Sequence, residues 1–310
     1  MSDQTIPGSD VGETGTANGS QLRSVLVDTI LNLEELEPGL YRAIHHWKTL
    51  TGRLYGGQVV GQALVAASHT VSPQLHVHSL HCYFLKFGTR KHPVLYKVHN
   101  VRDGKSFSTR SVQASQDGVA IFTMMASFHI TEESPFQHQY SMPHVPKPHE
   151  LKSDRELVDT YVKHAPISSQ MKAMVEKQLT REIDVEFRRI DPMRLFMRSP
   201  TEPQMRIWVK AKDKIGEDMR MHQCVAAYLS DYFLAMSQTL PFRHIKLGQI
   251  ASLDHSIWFH CPFRTDEWML YECESPRTGA ARGISLGRLW QEDGKLVATV
   301  AQEAVLRPQL

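Results

Sequence analysis

The chain has 310 residues, enough for one large domain or two of ordinary size, and 41 % of them are apolar, so a sizeable core can be built. Lysine plus arginine (35) nearly balance aspartate plus glutamate (33), and without a long basic run the charge offers no footprint for nucleic acid or a membrane surface. Cys82, Cys224, Cys261 and Cys273 stand far apart with no C-x-x-C pair, no apolar run is long enough to cross a bilayer, and no secretory signal peptide is seen. A soluble protein of a reducing, intracellular compartment is expected.

Residues 1–21 are rich in Gly, Ser, Thr and acids and predict a disordered leader. "LRSVLVDTILNLEELEPGLYRA" reads as an amphipathic helix that stops near Pro38-Gly39 and leads into a strand. "YGGQVVGQALVAASHTV" follows as a tightly packed central helix of roughly four turns. Strand patterns then run to about residue 130, with turns at Asp103-Gly104 and Asp117-Gly118. His76 and His78 are expected on one strand face and His81 on the other, without the acids or thiolates that would complete a metal site. Residues 131–150 are Pro-rich and polar, hence a linker, and "DRELVDTYVKHAPISSQMKAMVEKQL" predicts a pair of connecting helices.

The same order then returns. "SQDGVAIFTMMASF" (115–128) lies over "QEDGKLVATVAQEA" (291–304), "HSL" (78–80) over "HSI" (255–257), and Leu64 over Leu229. One helix plus an antiparallel meander, repeated, makes an α+β pseudo-dimer: a first unit over 22–130, a linker with helices over 131–205, and a second unit over 206–310.

G-x-S-x-G, the spacing of a serine-hydrolase elbow, occurs from Gly283 through Ser285 to Gly287. No histidine follows Ser285, and Asp293-Gly294 predicts a hairpin where the elbow needs a helix. Ser285 is therefore expected in a strand and outside the chemistry.

Differences between the copies point elsewhere. Asp231 is predicted on an apolar helix face with Ala227, Tyr228, Leu234 and Ala235, where Ala66 stands in the first copy. Gln302 interrupts the apolar face of the last strand at the position of Ala126, and Ser252 falls opposite Leu75 or His76. A buried Asp, Gln and Ser can equally be structural cement, and Asp254 is a competing acid that could pair with His255. The pattern alone leaves these readings open.

"YGGQVVGQALVAA", "VHSLHCYFL", "RDGKSFSTRSVQASQDG", "SLDHSIWFHCPF", "WMLYECESP" and "VAQEAVLR" together resemble the type II (TesB-like) acyl-CoA thioesterases over about residues 23–307. The resemblance implies a double hotdog fold, two tandem copies of a long helix wrapped by an antiparallel sheet. It implies hydrolysis of fatty acyl-CoA to free fatty acid and CoA, with Asp231, Ser252 and Gln302 as the catalytic set. No metal is expected, and no cofactor beyond the CoA carried by the substrate. Asp231 would activate a water oriented by Gln302 and Ser252. Backbone N–H groups of Gly57 and Gln58, at the head of the first helix, are the candidate oxyanion donors. A covalent route through Ser252 or Asp231 stays open, as do a non-catalytic acyl-CoA binder and a hotdog enoyl-CoA hydratase or dehydratase, for which the central helices offer only His69 and His222. His78 and His255 are read as structural because they recur together. The resemblance further implies a possible homo-oligomer and a peroxisomal location, although the chain ends Pro-Gln-Leu, not Ser-Lys-Leu, which keeps the cytosol open.

Overall fold

The protein is described by a computed structural model over residues 24–47, 49, 52–180, 183–195 and 199–309. The predicted leader over 1–21 lies outside the described residues.

Each half repeats one element order. In the first, β2 (Leu40–Ala43) precedes the central helix α1 (Gly56–His69) and strands β3 (Leu75–Phe84), β4 (Val94–Asp103), β5 (Phe107–Gln116) and β6 (Val119–Ile130). In the second, β8 (Gln204–Ala211) precedes α4 (Met219–Ser230), then β10 (Asp254–Phe259), β11 (Met269–Gly279), β12 (Arg282–Gln291) and β13 (Leu296–Pro308). The half-sheets run β2-β4-β5-β6-β3 and β10-β13-β12-β11-β8, mirror orders that meet where β3 pairs antiparallel with β10. The result is one continuous sheet around two helices, the double hotdog.

Alternation along the strands drives this arrangement. On β13, Val300, Gln302, Ala304 and Leu306 are buried while the residues between them are part-exposed, the pattern of a strand with one face on the core. α1 is buried at every position from Gly57 to Ser68, its small residues letting α4 pack closely against it. The turns at Asp117-Gly118 and Gly294 use left-handed backbone, with φ of 49° and 76° at the first pair and 92° at Gly294.

Three expectations are corrected. The helix predicted through residue 38 is only the short turn Leu26–Ile30; Glu34–Glu37 instead forms β1 (Glu34–Glu37), hairpinned onto β2 about Gly39. Sheet pairing there overrides the helical preference of the Leu-Glu run, helped by Arg42 gripping Glu34 and by Tyr41 Oη donating to Glu35 at 3.3 Å. Secondly, His81 lies on the same outer face as His76 and His78, because a bulge between Val77 and Ser79 shifts the alternation of β3 by one residue. Thirdly, α4 ends at Ser230, so Leu234 and Ala235 do not share a helix face with Asp231: Phe233 has φ 65° and a 3-10 stretch, Leu234–Phe242, begins after it.

The connection contains α2 (Asp154–Leu157), α3 (Ser169–Leu179) and β7 (Val185–Arg189), with Ser153 and Ser168 capping the helices. Residues 139–151 do more than link. They strap the outer face of the second half-sheet, where Met142, Val145 and Leu151 pack on Trp208, Leu270 and Trp290, and Trp208 Nε1 donates to Pro146 O at 2.9 Å.

Candidate active site

Asp231 is the C-cap of α4. A negative charge at that end opposes the helix dipole, so it needs compensation from elsewhere. The head of α1 provides it: Gly57 N–H donates to Asp231 Oδ2 at 2.8 Å. Close approach is possible only because the head carries glycines. A Cβ on Gly56 would sit 2.7 Å from Asp231 Oδ2, and one on Gly57 would sit 2.4 Å from Tyr228 O.

The other carboxylate oxygen, Oδ1, accepts from Gln302 Nε2 at 3.0 Å. The same amide nitrogen donates to Ser252 Oγ in a very short contact. Ser252 ends β9 (Leu247–Ser252), which adds to β13 with Ser252 opposite Ala304; the two-residue period therefore puts Ser252 and Gln302 on one face. The three polar residues singled out by the repeat comparison are thus in mutual contact through one amide.

Behind them lies a second layer. Gln302 Oε1 is 3.1 Å from His255 Nδ1, and His255 Nε2 is 2.8 Å from Ser230 Oγ. Tyr271 Oη donates to Ser230 O at 2.5 Å. Burial pushes the His255 pKa below the usual histidine value, and burial raises Tyr55 and Tyr271 well above the usual tyrosine value, the Asp231 charge adding to the rise in both. All three rings are neutral at physiological pH. Asp254, the competing acid, accepts from Glu303 N–H at 2.8 Å and so anchors β13.

Other candidates are placed elsewhere. Gln58 is buried, with Nε2 donating to Ile30 O and His45 O and Oε1 accepting from Trp47 N–H; its own N–H lies 3.2 Å from Tyr55 O. Gly57 N–H already serves Asp231. Ser285 lies within β12, fully buried, its Oγ 2.9 Å from Ser237 Oγ. His78 faces outward against Ser127 Oγ at 2.8 Å, His69 edges onto Tyr41, and His222 is locked between Thr265 and Gly216 O. Ser230 escaped the sequence reading, which had no reason to separate it from other helical serines. Tyr232 and Phe233, which follow Asp231 in the chain, help wall a cavity of about 390 Å³, with Trp47 and Phe187 as further apolar lining and Arg155, Arg188 and Lys212 among its cations; Asp231, Ser252 and Gln302 do not line it.

Comparison with known proteins shows the family. The profile described as acyl-CoA thioesterase N-terminal domain matches residues 44–129, and that described as acyl-CoA thioesterase C-terminal domain matches 159–306. The chain is 49 % identical over 303 residues to human acyl-coenzyme A thioesterase 8, covering 97 % of this chain and 94 % of the relative. A yeast protein, the peroxisomal acyl-coenzyme A thioester hydrolase 1 of Saccharomyces cerevisiae, is 26 % identical over 298 residues, 80 % of this chain and 84 % of its own. Among solved structures, the acyl-CoA thioesterase II TesB2 of Mycobacterium marinum superposes with a TM-score of 0.71 at 36 % identity, covering 91 % of this chain and 97 % of that one. With both halves matched and near-complete coverage of its relatives, the chain belongs to the type II acyl-CoA thioesterases and is an acyl-CoA thioester hydrolase.

Proposed function

We propose that the protein hydrolyses fatty acyl-CoA to fatty acid and CoA by direct attack of a water molecule, with Asp231 as general base and Ser252 and Gln302 as the groups that orient the water. The observation that carries this reading is the Gln302 amide nitrogen, which ties the carboxylate and the hydroxyl into one cluster. A water placed against Ser252 Oγ and Asp231 can lose its proton to the carboxylate as it attacks the thioester carbon. The thiolate of CoA is a good leaving group, so no strong acid and no metal or cofactor is required.

The oxyanion needs a fixed donor, and Gly57 N–H is the better of the two candidates. It exchanges Asp231 Oδ2 for the thioester oxygen as substrate enters, which also releases Oδ2 to take up the proton of the water. The cavity walled by Trp47, Phe187, Tyr232 and Phe233, the last two following Asp231 in the chain, offers apolar surface for part of the substrate. A hydratase or dehydratase reading is disfavoured by the central-helix histidines: both nitrogens of His222 are committed within the core. The name of the yeast relative supports a peroxisomal location.

The test is thiol release from acyl-CoA substrates of graded chain length by wild type, Asp231→Asn and Asp254→Asn. Asp231→Asn should lose at least about a hundredfold in kcat, the size expected for a positioned base. Asp254→Asn keeps an acceptor for Glu303 N–H and should stay within about threefold of wild type. An active Asp231→Asn enzyme would remove the base from the scheme.

A further inference from the structure

The hydrogens around Gln302 can be assigned by elimination. A carboxylate offers only lone pairs, so the nitrogen of the Gln302 amide faces Asp231 Oδ1 and its oxygen faces His255 Nδ1. Two acceptors cannot share that 3.1 Å contact, so Nδ1 carries a hydrogen. The ring is fully buried and neutral, which leaves Nε2 bare. Ser230 Oγ, 2.8 Å from Nε2, must then be its donor, although Ala227 O at 2.9 Å competes for the same hydrogen. The chain is directional: Ser230 donates to His255, His255 to Gln302, and Gln302 to Asp231 and Ser252. Reversal at any link would turn the Gln302 oxygen onto the carboxylate.

The sister unit supports a joint role. Leu80 stands opposite Ala126 on β3 and β6, while the register of Ser256 with Ala301 sets His255 beside Gln302 on β10 and β13. The His and the Gln thus occur together in one unit and are both replaced by apolar residues in the other. His78, which "HSL" and "HSI" align with His255, is not its counterpart, because the bulge at Val77 and Ser79 leaves it on the outer face.

We propose that His255, oriented by Ser230, is a positioning residue for thioester hydrolysis: its Nδ1–H locks the Gln302 amide so that the amide nitrogen holds Asp231 and Ser252 at the spacing one water requires. It acts through Gln302, since both ring nitrogens are occupied. The inference rests on the reading of Asp231 as the base.

The experiment uses the full chain labelled with 15N-histidine. Side-chain nitrogen spectra at pH 7, with His255 identified by its loss in His255→Asn, should show neutral imidazole protonated at Nδ1; an Nε2–H tautomer or an imidazolium overturns the proposal. Thiol-release kinetics accompany it. Asparagine can set its amide N–H where Nδ1–H stood, so His255→Asn should keep kcat within about fivefold. His255→Leu removes the donor and should lower kcat by about 10- to 100-fold with KM within threefold, the scale of a misplaced reacting group. Wild-type kcat in His255→Leu, or an equal loss in both variants, overturns the proposal. If His255→Leu fails to fold, the wild-type tautomer and the activity of His255→Asn still decide. Asp231→Asn assayed in parallel separates the two failures: an inactive Asp231→Asn beside a fully active His255→Leu sinks the positioning role alone, whereas an active Asp231→Asn sinks the base.

Discussion

Gly57→Ala tests whether the two halves must meet closely for the site to work. The added methyl would lie 2.4 Å from Tyr228 O and 2.7 Å from the Tyr55 ring, about 1 Å short of ordinary contact with a backbone oxygen that cannot rotate aside. Overpacking of this kind costs about 1–3 kcal/mol, against which alanine regains up to about 1 kcal/mol of helix propensity. A net loss of up to about 2 kcal/mol follows, seen as a drop in Tm of at most about 3 °C for a chain of this size. The larger effect is on turnover. Moving the head of α1 away from α4 by about 1 Å displaces Gly57 N–H, which meets Asp231 Oδ2 at 2.8 Å in the free site and is the proposed oxyanion donor, and about a hundredfold loss in kcat is expected. Gly61→Ala is the control on the same helix: its methyl would meet Leu31 Cδ2 at 2.9 Å and Cys224 O at 3.2 Å, a milder conflict away from the carboxylate. Thermal unfolding and thiol release on both variants check the reasoning. Wild-type kcat in Gly57→Ala, or equal kcat losses in both variants, would refute it.

Acid should destabilise the fold before the carboxylates titrate. His222 and His255 are 1 % and 0 % exposed, and burial is the leading cause of a lowered pKa in both. Each returns to about 6.5 on unfolding, so below that pH the unfolded chain binds more protons and stability falls; above it the contribution is complete. The unfolding free energy from urea titration should therefore decline between pH 7 and pH 5, by at most about 1.4 kcal/mol per pH unit for each histidine, and a flat value over that range counts against two buried neutral rings. Ser285→Ala should leave kcat within about threefold of wild type and cost about 1 kcal/mol in chemical unfolding, because only the bond to Ser237 is lost. A collapse of turnover would reinstate the G-x-S-x-G motif as part of the chemistry.

Much of this architecture was legible because duplication leaves a control within the chain. The matched turns at Asp117-Gly118 and Asp293-Gly294 fix the register of β6 against β13, and that register exposes Gln302 opposite an alanine. Asp231 stood out for the same reason. What stayed hidden depends on features that a period cannot carry. A single bulge at Val77 and Ser79 reverses the alternation of β3, so "HSL" and "HSI" align as letters while His78 faces outward and His255 faces the core. The end of α4 was obscured because apolar residues continue through Phe233 and Leu234, whereas the helix ends at Ser230 and a left-handed Phe233 opens a separate 3-10 stretch. The polar linker became a strap because three of its apolar residues find Trp208 and Trp290, a contact set by the outer face of a distant sheet.

The candidate site draws on both copies. Asp231, Ser252, Gln302, His255 and Ser230 all come from the second unit, yet the donor to Asp231 Oδ2 comes from Gly57 in the first. Antiparallel packing sets the N-terminal end of α1 against the C-terminal end of α4, so the positive end of one helix compensates a carboxylate that the other helix alone would disfavour. A separated second unit would keep the amide bridge from Gln302 but lose that donor, and with it the low-cost position for a negative charge between the two helices. The first unit, whose equivalent places hold Leu80 and Ala126, is therefore no idle copy: its apolar residues build the shared core, and its helix N-terminus completes the setting of Asp231.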